Sequence, residues 1–189
     1  YMLTRNGDSD DNITPPGVVL NAAGSLWLGD REVQLLEFDG HSGGTDLIAY
    51  VPDADVMVAG DLLFTQRFPF IADGNIRIWQ ETLAQLATDY AESTIVSGHG
   101  PISDRADLVT LNEYLGFLVA QGEAWQAAGL SQEDAIAQTE IPAEYEGYLF
   151  EGLFQNALEA TYQQITLSQD DAASIQEYFQ AQAPALKAL

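Results

Sequence analysis

The sequence predicts an α/β protein, with a small sheet and one intervening helix up to about residue 100 and helices after it. Two observations support this fold class. Short apolar runs bounded by turn residues recur between residues 32 and 100, and apolar residues at helical spacing fill 76–90. A third observation concerns function: polar side chains directly follow three of the apolar runs. In α/β proteins the carboxyl ends of strands are where ligands bind.

The strand predictions rest on short apolar segments that end in turn residues. "EVQLLEF" at 32–38 and "DLIAYVP" at 46–52 are two of them, and the Gly29-Asp30 turn predicts a hairpin over 26–38. "DADVMVAGD" at 53–61 gives a turn and a short buried strand, and "STIVSGHG" at 93–100 gives another. The turn formers and acids at 4–17 predict a loop.

Helical periodicity predicts one helix inside the sheet region and several after it. The first has an apolar face with a core tryptophan, formed by Ile76, Trp79, Leu83, Leu86 and Tyr90. A second stripe comprises Leu108, Leu111, Leu115 and Leu118, and Ser131 caps a helix start at "SQED". Two more helices are expected over 145–166 and 168–182. These helices can cover one sheet face, but a sheet apolar on both faces needs cover on both sides.

Composition excludes several classes of partner and site. The net charge of −23, from 29 acidic and six basic residues among 189, excludes nucleic acid and anionic membrane surfaces as partners. No apolar run approaches the ~20 residues of a membrane span. The absence of cysteine excludes disulfides and thiolate metal sites. Cytoplasmic and periplasmic locations both stay open.

The candidate site consists of three polar side chains in the same strand-end context. His41 follows the strand that ends at Phe38, Asp61 follows "VMVAG", and His99 follows "TIVSG". Considered alone, each histidine would be interpreted as a solvated side chain and the aspartate as a turn residue. Taken together, two imidazoles and a carboxylate suit a divalent metal ion, with zinc first.

Three segments also resemble a known family. "GHSGGTDLIAYVP", "VMVAGDLLF" and "IVSGHGP", in this order and at fitting spacing, are similar to the second half of a metallo-β-lactamase-fold hydrolase, over about residues 20–120. Asp61 stands where class B β-lactamases usually carry Cys or Ser. The chain therefore looks closer to glyoxalase II, lactonases and other ester or thioester hydrolases. It also resembles a zinc metallohydrolase of quinoprotein systems, through "GDLLFTQRFPF" and "LFQNALEATYQQ".

The resemblance implies a fold, a metal site and a reaction. The expected fold is an αββα sandwich that binds one or two metal ions, commonly zinc. His41 would be a ligand of the first metal, His99 of the second, and Asp61 a bridging ligand and the catalytic residue. The implied activity is hydrolysis of a small ester, thioester or lactone by a hydroxide that the metal activates.

One family motif is absent from this chain. The leading His-x-His-x-Asp-His cannot be present, because the chain has only two histidines. The sequence therefore predicts the C-terminal half of the domain over residues 1–103, a helical extension over 104–189, and a missing N-terminal half-domain as partner. Three ligands spread over two metal positions are too few for tight binding. This segment alone is expected to bind zinc weakly and not to turn over substrate.

Two alternatives stay open from the sequence. The chain is either the half of an enzyme described above or a non-catalytic or split half-domain that binds another protein through its exposed sheet face. A third reading keeps the fold but uses iron for redox chemistry.

Overall fold

The computed structural model describes residues 23–43 and 45–166, which form a six-stranded sheet and its helices. The strands run in the order β1 to β6 across the sheet. They are β1 Gly24–Leu28, β2 Arg31–Asp39, β3 Thr45–Val51, β4 Val56–Phe64, β5 Thr94–His99 and β6 Ile102–Ser103. The helices are α1 Ile76–Asp89, α2 Arg105–Ala128, α3 Gln132–Ala137 and α4 Gly152–Thr161, with a 3₁₀ turn at Ala143–Tyr145 and a π-helical segment at Tyr162–Thr166.

The sheet is mixed, because one connection in it is a helical crossover. Strands β1 to β4 pair antiparallel in sequence order. Helix α1 connects β4 to β5, which pair in parallel, and β6 then returns antiparallel to β5. Asn75 starts α1 by accepting hydrogen bonds from the backbone nitrogens of Arg77 and Ile78, each at 3.1 Å. This arrangement confirms the predicted α/β class and the predicted helix between the last two long strands.

The core lies between the helices and one face of the sheet, which we call the inner face. Strand register places Tyr50, Met57, Ile95 and Ser103 in one row on this face. Met57 and Ile95 are fully buried in the same cluster as Trp79 of α1. Trp79 also donates from Nε1 to the carbonyl oxygen of Leu62 at 3.0 Å, which satisfies its polar atom inside the core. The predicted role of Trp79 as a core residue is confirmed.

The opposite face of the sheet, which we call the outer face, is also apolar. The register aligns one residue from each strand across it: Gly24, Leu35, Ala49, Val58, Val96 and Ile102. Val58 is 41% exposed and Ile102 is 66% exposed. Leu47, on the same face, is 50% exposed. The expectation that the helices cover one face and leave the other open therefore agrees with the described residues.

The helical region follows the sequence predictions except at one boundary. Helix α2 buries the predicted leucine stripe, and Ser131 caps α3. The helix expected over 145–166 begins only at Gly152, because Gly147 and Phe150 adopt positive φ angles of 82° and 62° that a helix cannot include. Among the described residues, no helix combines the length and apolarity needed to cross a bilayer. The predicted loop at 4–17 and helix at 168–182 lie outside the described residues, and the domain boundary near residue 103 stays a prediction.

Candidate functional site

Asp61 and His99 meet where β4 and β5 run side by side. The β4–β5 ladder is irregular between Val58 and Phe64, and Gly60 adopts a φ of 55° there. This β-bulge turns the strand next to the end of β5. His99 Nε2 lies 3.3 Å from Asp61 Oδ1, and the two side chains are 48% and 47% exposed. Asp61 thus lies inside β4, not at a strand end as predicted, and the bulge brings it into direct contact with His99 at the end of β5 on an open surface.

Close backbone approach at Gly98 makes this contact possible. A Cβ atom at Gly98 would lie 2.4 Å from the carbonyl oxygen of Gly60 and 2.6 Å from Asp61 Oδ1. No side chain tolerates such distances, so only glycine allows the bulged strand to pack here. The backbone nitrogen of Thr65 donates to the carbonyl oxygen of His99 at 2.9 Å, which holds the end of β5 against the same segment.

His41 occupies a different environment, because its side chain is buried. The residue is 8% exposed, and its ring lies 5.1 Å from the Trp79 ring, edge-on, and 5.5 Å from the Phe64 ring. Within the described part of the chain, neither ring nitrogen has a hydrogen-bond partner. A buried polar atom without a partner costs free energy, so such atoms in a native protein call for a ligand or an ion.

Phe64 brings the two histidines into one neighbourhood. Its ring stacks on the His99 ring at 4.8 Å with an interplanar angle of 22°, and it also contacts the His41 ring. His41 and His99 therefore both contact one aromatic side chain. Over residues 23–43 and 45–166, no three His, Cys, Asp or Glu side chains come close enough together to hold a metal ion. The assignment of His41, Asp61 and His99 as metal ligands stays a prediction.

Asp46 holds the backbone of the His41 loop. Its carboxylate accepts hydrogen bonds from the backbone nitrogens of His41 (3.1 Å) and Ser42 (3.0 Å) and from the Ser42 hydroxyl (2.7 Å). His41 Nδ1 lies 3.8 Å from Asp46 Oδ1, which is an electrostatic contact and not a hydrogen bond. Burial alone would raise the pKa of Asp46, but His41 and the Ser42 donors outweigh it and hold the pKa below its ordinary value. Asp46 therefore has mainly a structural role at the start of β3.

The donor atoms present suit zinc in kind but are incomplete in number. Imidazole nitrogen and carboxylate oxygen are normal zinc ligands, and the unpartnered nitrogens of His41 are available to an ion. Among the described residues, the three predicted ligands are not close enough together to hold one ion, although Asp61 and His99 are in direct contact. The chain can thus supply part of a metal site and needs further ligands to complete it.

Sequence reasoning did not identify two residues that shape the site. Phe64 lies three residues after Asp61, so its position on the same strand was a usable signal. The contacts of Gln164 with the loop beside His41 span about 90 positions, and no local pattern predicts them. Arg77 forms an ion pair with Glu123 at 2.7 Å. Arg67 places its guanidinium 5.5 Å from the centre of the Phe150 ring.

Comparison with solved structures identifies the fold. The chain is similar to the sec-alkylsulfatase Pisa1 from Pseudomonas sp., with a TM-score of 0.62 and 17% identity over 85% of this chain and 28% of that one. It is also similar to a metallo-β-lactamase from Pontibacter korlensis, with a TM-score of 0.51 and 18% identity over 61% of this chain and 53% of that one. The chain has part of the metallo-β-lactamase fold. No family profile matches the sequence, and no curated protein matches it.

Each match covers only part of the matched protein. The chain spans about half the length of the Pontibacter protein and less than a third of the sulfatase. A match over 85% of the chain also has to include helices after Ser103, so the likeness to the sulfatase extends beyond the sheet. The expected fold, a partial sandwich followed by helices, is confirmed. The matched proteins are named as a metallo-β-lactamase and an alkylsulfatase, and at 17–18% identity the likeness shows the fold alone.

Proposed function

We propose that this chain supplies part of the metal site of a hydrolase that acts on a small ester, thioester or lactone. One observation carries the proposal: the buried imidazole of His41 has two ring nitrogens without partners among the described residues, beside the Asp61–His99 pair. A core histidine with a purely structural role would be hydrogen-bonded. Zinc is the ion that this donor set favours.

The proposed roles follow from the chemistry of each side chain. His41 would be a ligand of one ion, His99 of a second, and Asp61 of both. When bound, the metal supplies a Lewis acid that activates water near neutral pH and polarises the substrate carbonyl. Phe64 contacts both imidazoles, and Asp46 fixes the backbone that carries His41.

The proposed partner is a second half-domain that provides the remaining ligands. The apolar outer face, with exposed Leu47, Val58 and Ile102, is a surface that a second sheet of the same fold would cover. Strands β4 and β5 of the same sheet carry Asp61 and His99, so a layer packed on the sheet would bring its own ligands close to theirs. A second half-domain that covers the outer face is therefore expected to complete the metal site as well.

Metal counting on variants tests this proposal. We expect the protein, expressed with whatever coding sequence precedes Tyr1 in its gene, to retain zinc through purification. Asp61→Ala and His41→Ala should each remove at least half of it. Asp53→Ala is the matched control, because this exposed carboxylate pairs with Arg31 at 3.0 Å, away from the site. The 189-residue chain alone should bind zinc weakly in calorimetry, and one tight zinc per chain would contradict that part of the proposal.

The same measurement separates the two alternatives. Iron as the retained metal would indicate the redox relative of this fold. Equal metal content in the wild type and Asp61→Ala would favour the non-catalytic module, which binds another chain through its outer face.

A sulfate ester is a second candidate substrate. The likeness to the alkylsulfatase covers 85% of the chain and that to the Pontibacter protein 61%. A panel of carboxylate esters, thioesters, lactones and alkyl sulfates, assayed with the zinc-loaded protein, distinguishes these classes. Release of sulfate without hydrolysis of the carboxylate esters would support the second candidate.

A further inference from the structure

The π-helical segment Tyr162–Thr166 directs one glutamine toward the predicted site. Tyr162 donates from its hydroxyl to the carbonyl oxygen of Leu130 at 2.9 Å, and Gln163 donates from Nε2 to Gln132 Oε1 at 2.6 Å. These contacts anchor the segment to the start of α3. Gln164, the next residue, points to a different neighbour. Single π-helical turns often occur at functional positions, because the extra residue re-aims the side chains.

Gln164 forms two hydrogen bonds with the turn that precedes α1. Its Oε1 accepts from the backbone nitrogen of Ile76 at 3.0 Å, and its Nε2 donates to the carbonyl oxygen of Gly74 at 3.1 Å. The Ile76 nitrogen is one of the first-turn donors of α1 that no residue inside the helix can satisfy. The amide of Gln164 therefore holds this turn at both its entry and its exit.

The same turn is packed directly on the loop of His41. The backbone nitrogen of Asn75 donates to the carbonyl oxygen of Gly40 at 2.8 Å. A Cβ atom at Gly74 would lie 2.4 Å from that oxygen and 2.6 Å from the carbonyl oxygen of His41, so the two segments are in the closest contact that glycine allows. A displacement of the turn has to displace the backbone of His41.

We propose that Gln164 is a positioning residue that sets the His41 imidazole through the Gly74–Ile76 turn. It links the helical region to the sheet rim at the point where the predicted ligand is buried. This inference rests on the proposed function for the role of His41 as a ligand. The path from Gln164 to the His41 backbone rests on the hydrogen bonds and close contacts alone.

The two histidines make a direct test possible by proton NMR of the 189-residue chain. Each imidazole gives its own pair of ring signals, and His41→Gln assigns them. Gln164→Leu removes both hydrogen bonds with similar volume, and Gln164→Glu keeps the acceptor for Ile76 but loses the donor to Gly74. Gln163→Leu is the matched control, because it alters the same π-helical turn and its bond goes to Gln132. Zinc is then titrated into each variant.

We expect Gln164→Leu to shift the His41 signals and to leave those of His99 near their wild-type positions. Gln163→Leu should move neither. The zinc concentration at half-saturation of the His41 shift should rise about tenfold in Gln164→Leu, the scale seen when a residue that orients a ligand is lost. The zinc concentration at half-saturation for Gln164→Glu should lie between those of the wild type and Gln164→Leu. If Gln164→Leu does not fold, Gln164→Glu serves as the test.

Unchanged His41 signals in both Gln164 variants would overturn the inference. Shifted His41 signals with an unchanged zinc midpoint would also overturn it, because Gln164 would then affect only local packing. If the wild type shows no zinc-dependent shift at either histidine, the proposed function fails. The positions of the zinc-free signals still decide whether Gln164 sets the His41 imidazole.

Discussion

Tyr114 carries a buried hydroxyl that the described residues leave without a hydrogen-bond partner. The residue is 2% exposed and packs against Phe68 and Tyr145 at ring distances of 5.7 and 5.1 Å. An unpaired buried hydroxyl is destabilising, so its removal at constant shape is expected to be neutral or stabilising. We predict that Tyr114→Phe raises the free energy of unfolding by up to about 1 kcal/mol in urea titrations. A decrease in the free energy of unfolding would mean that the hydroxyl has a hydrogen-bond partner in solution.

Tyr145 makes the stability of the protein sensitive to alkaline pH. Burial, followed by the carboxylates of Glu144 and Glu113, raises the pKa of Tyr145 from 10.0 to about 12. A raised folded-state pKa means that the unfolded chain releases this proton first. Stability is therefore complete below pH 10.0 and falls as the pH rises toward about 12. Urea midpoints measured from neutral pH to this range should fall less steeply in Tyr145→Phe than in the wild type. Equal slopes would contradict the prediction.

At the scale of the secondary-structure elements, the β-bulge in β4 is the feature that creates the site. We predict that Gly98→Ala destabilises the fold by about 1–3 kcal/mol, because its Cβ would overlap the Gly60 carbonyl and Asp61 Oδ1. The variant should also separate Asp61 from His99. Urea unfolding measures the first effect, and the ring signals of His99 in NMR report the second.

Gly24→Ala is the control for this substitution. Gly24 is also a strand glycine, but a Cβ there would meet no atom within 4 Å. Its effect on the free energy of unfolding should stay within about 0.5 kcal/mol. A Gly98→Ala variant as stable as Gly24→Ala would show that the bulged strand can move away without cost.

The sequence predicts the elements better than it predicts the contacts between them. Helix α1 was predictable because its apolar residues repeat at helical spacing, and Ile76, Trp79, Leu83 and Leu86 are buried. His41, Asp61 and His99 were selected because each follows an apolar run in the sequence, but the structure places Asp61 inside β4 and His99 as the last residue of β5. The bulge at Gly60 was not predictable, since it is a property of the β4–β5 register. The contacts of Gln164 depend on how α4 packs and have no local signature.

At the scale of the whole molecule, the net charge of −23 makes stability depend on salt. Like charges on a compact surface repel one another, and the unfolded chain spreads them further apart. Added salt screens this repulsion, with a Debye length that falls from about 10 Å at 0.1 M to about 3 Å at 1 M. We expect the thermal midpoint to rise between these two sodium chloride concentrations. The same rise in potassium chloride would indicate screening, whereas a rise specific to one cation would indicate a bound ion.

The described residues form a single sheet, and its apolar outer face is the main structural consequence. Aliphatic residues from neighbouring strands form a continuous row across it, and its exposed members include residues on central strands that other proteins of mixed-sheet architecture bury. A patch of this kind binds a partner or promotes self-association. We therefore predict that the 189-residue chain associates in sedimentation experiments, and that Leu47→Lys with Val58→Lys makes it sediment as a smaller species.

Leu47→Lys with Val58→Lys should change association of the chain without changing its folding. Neither Leu47 nor Val58 belongs to the core cluster formed with the helices, so the double variant should keep its helical circular dichroism. Ile78→Lys together with Ala84→Lys is the control, because both residues lie on the exposed side of α1 and this pair adds the same two positive charges. If both double variants reduce association equally, the change in charge explains the effect. If only the outer-face variant does, the aliphatic row is the surface on which the proposed second half-domain would pack.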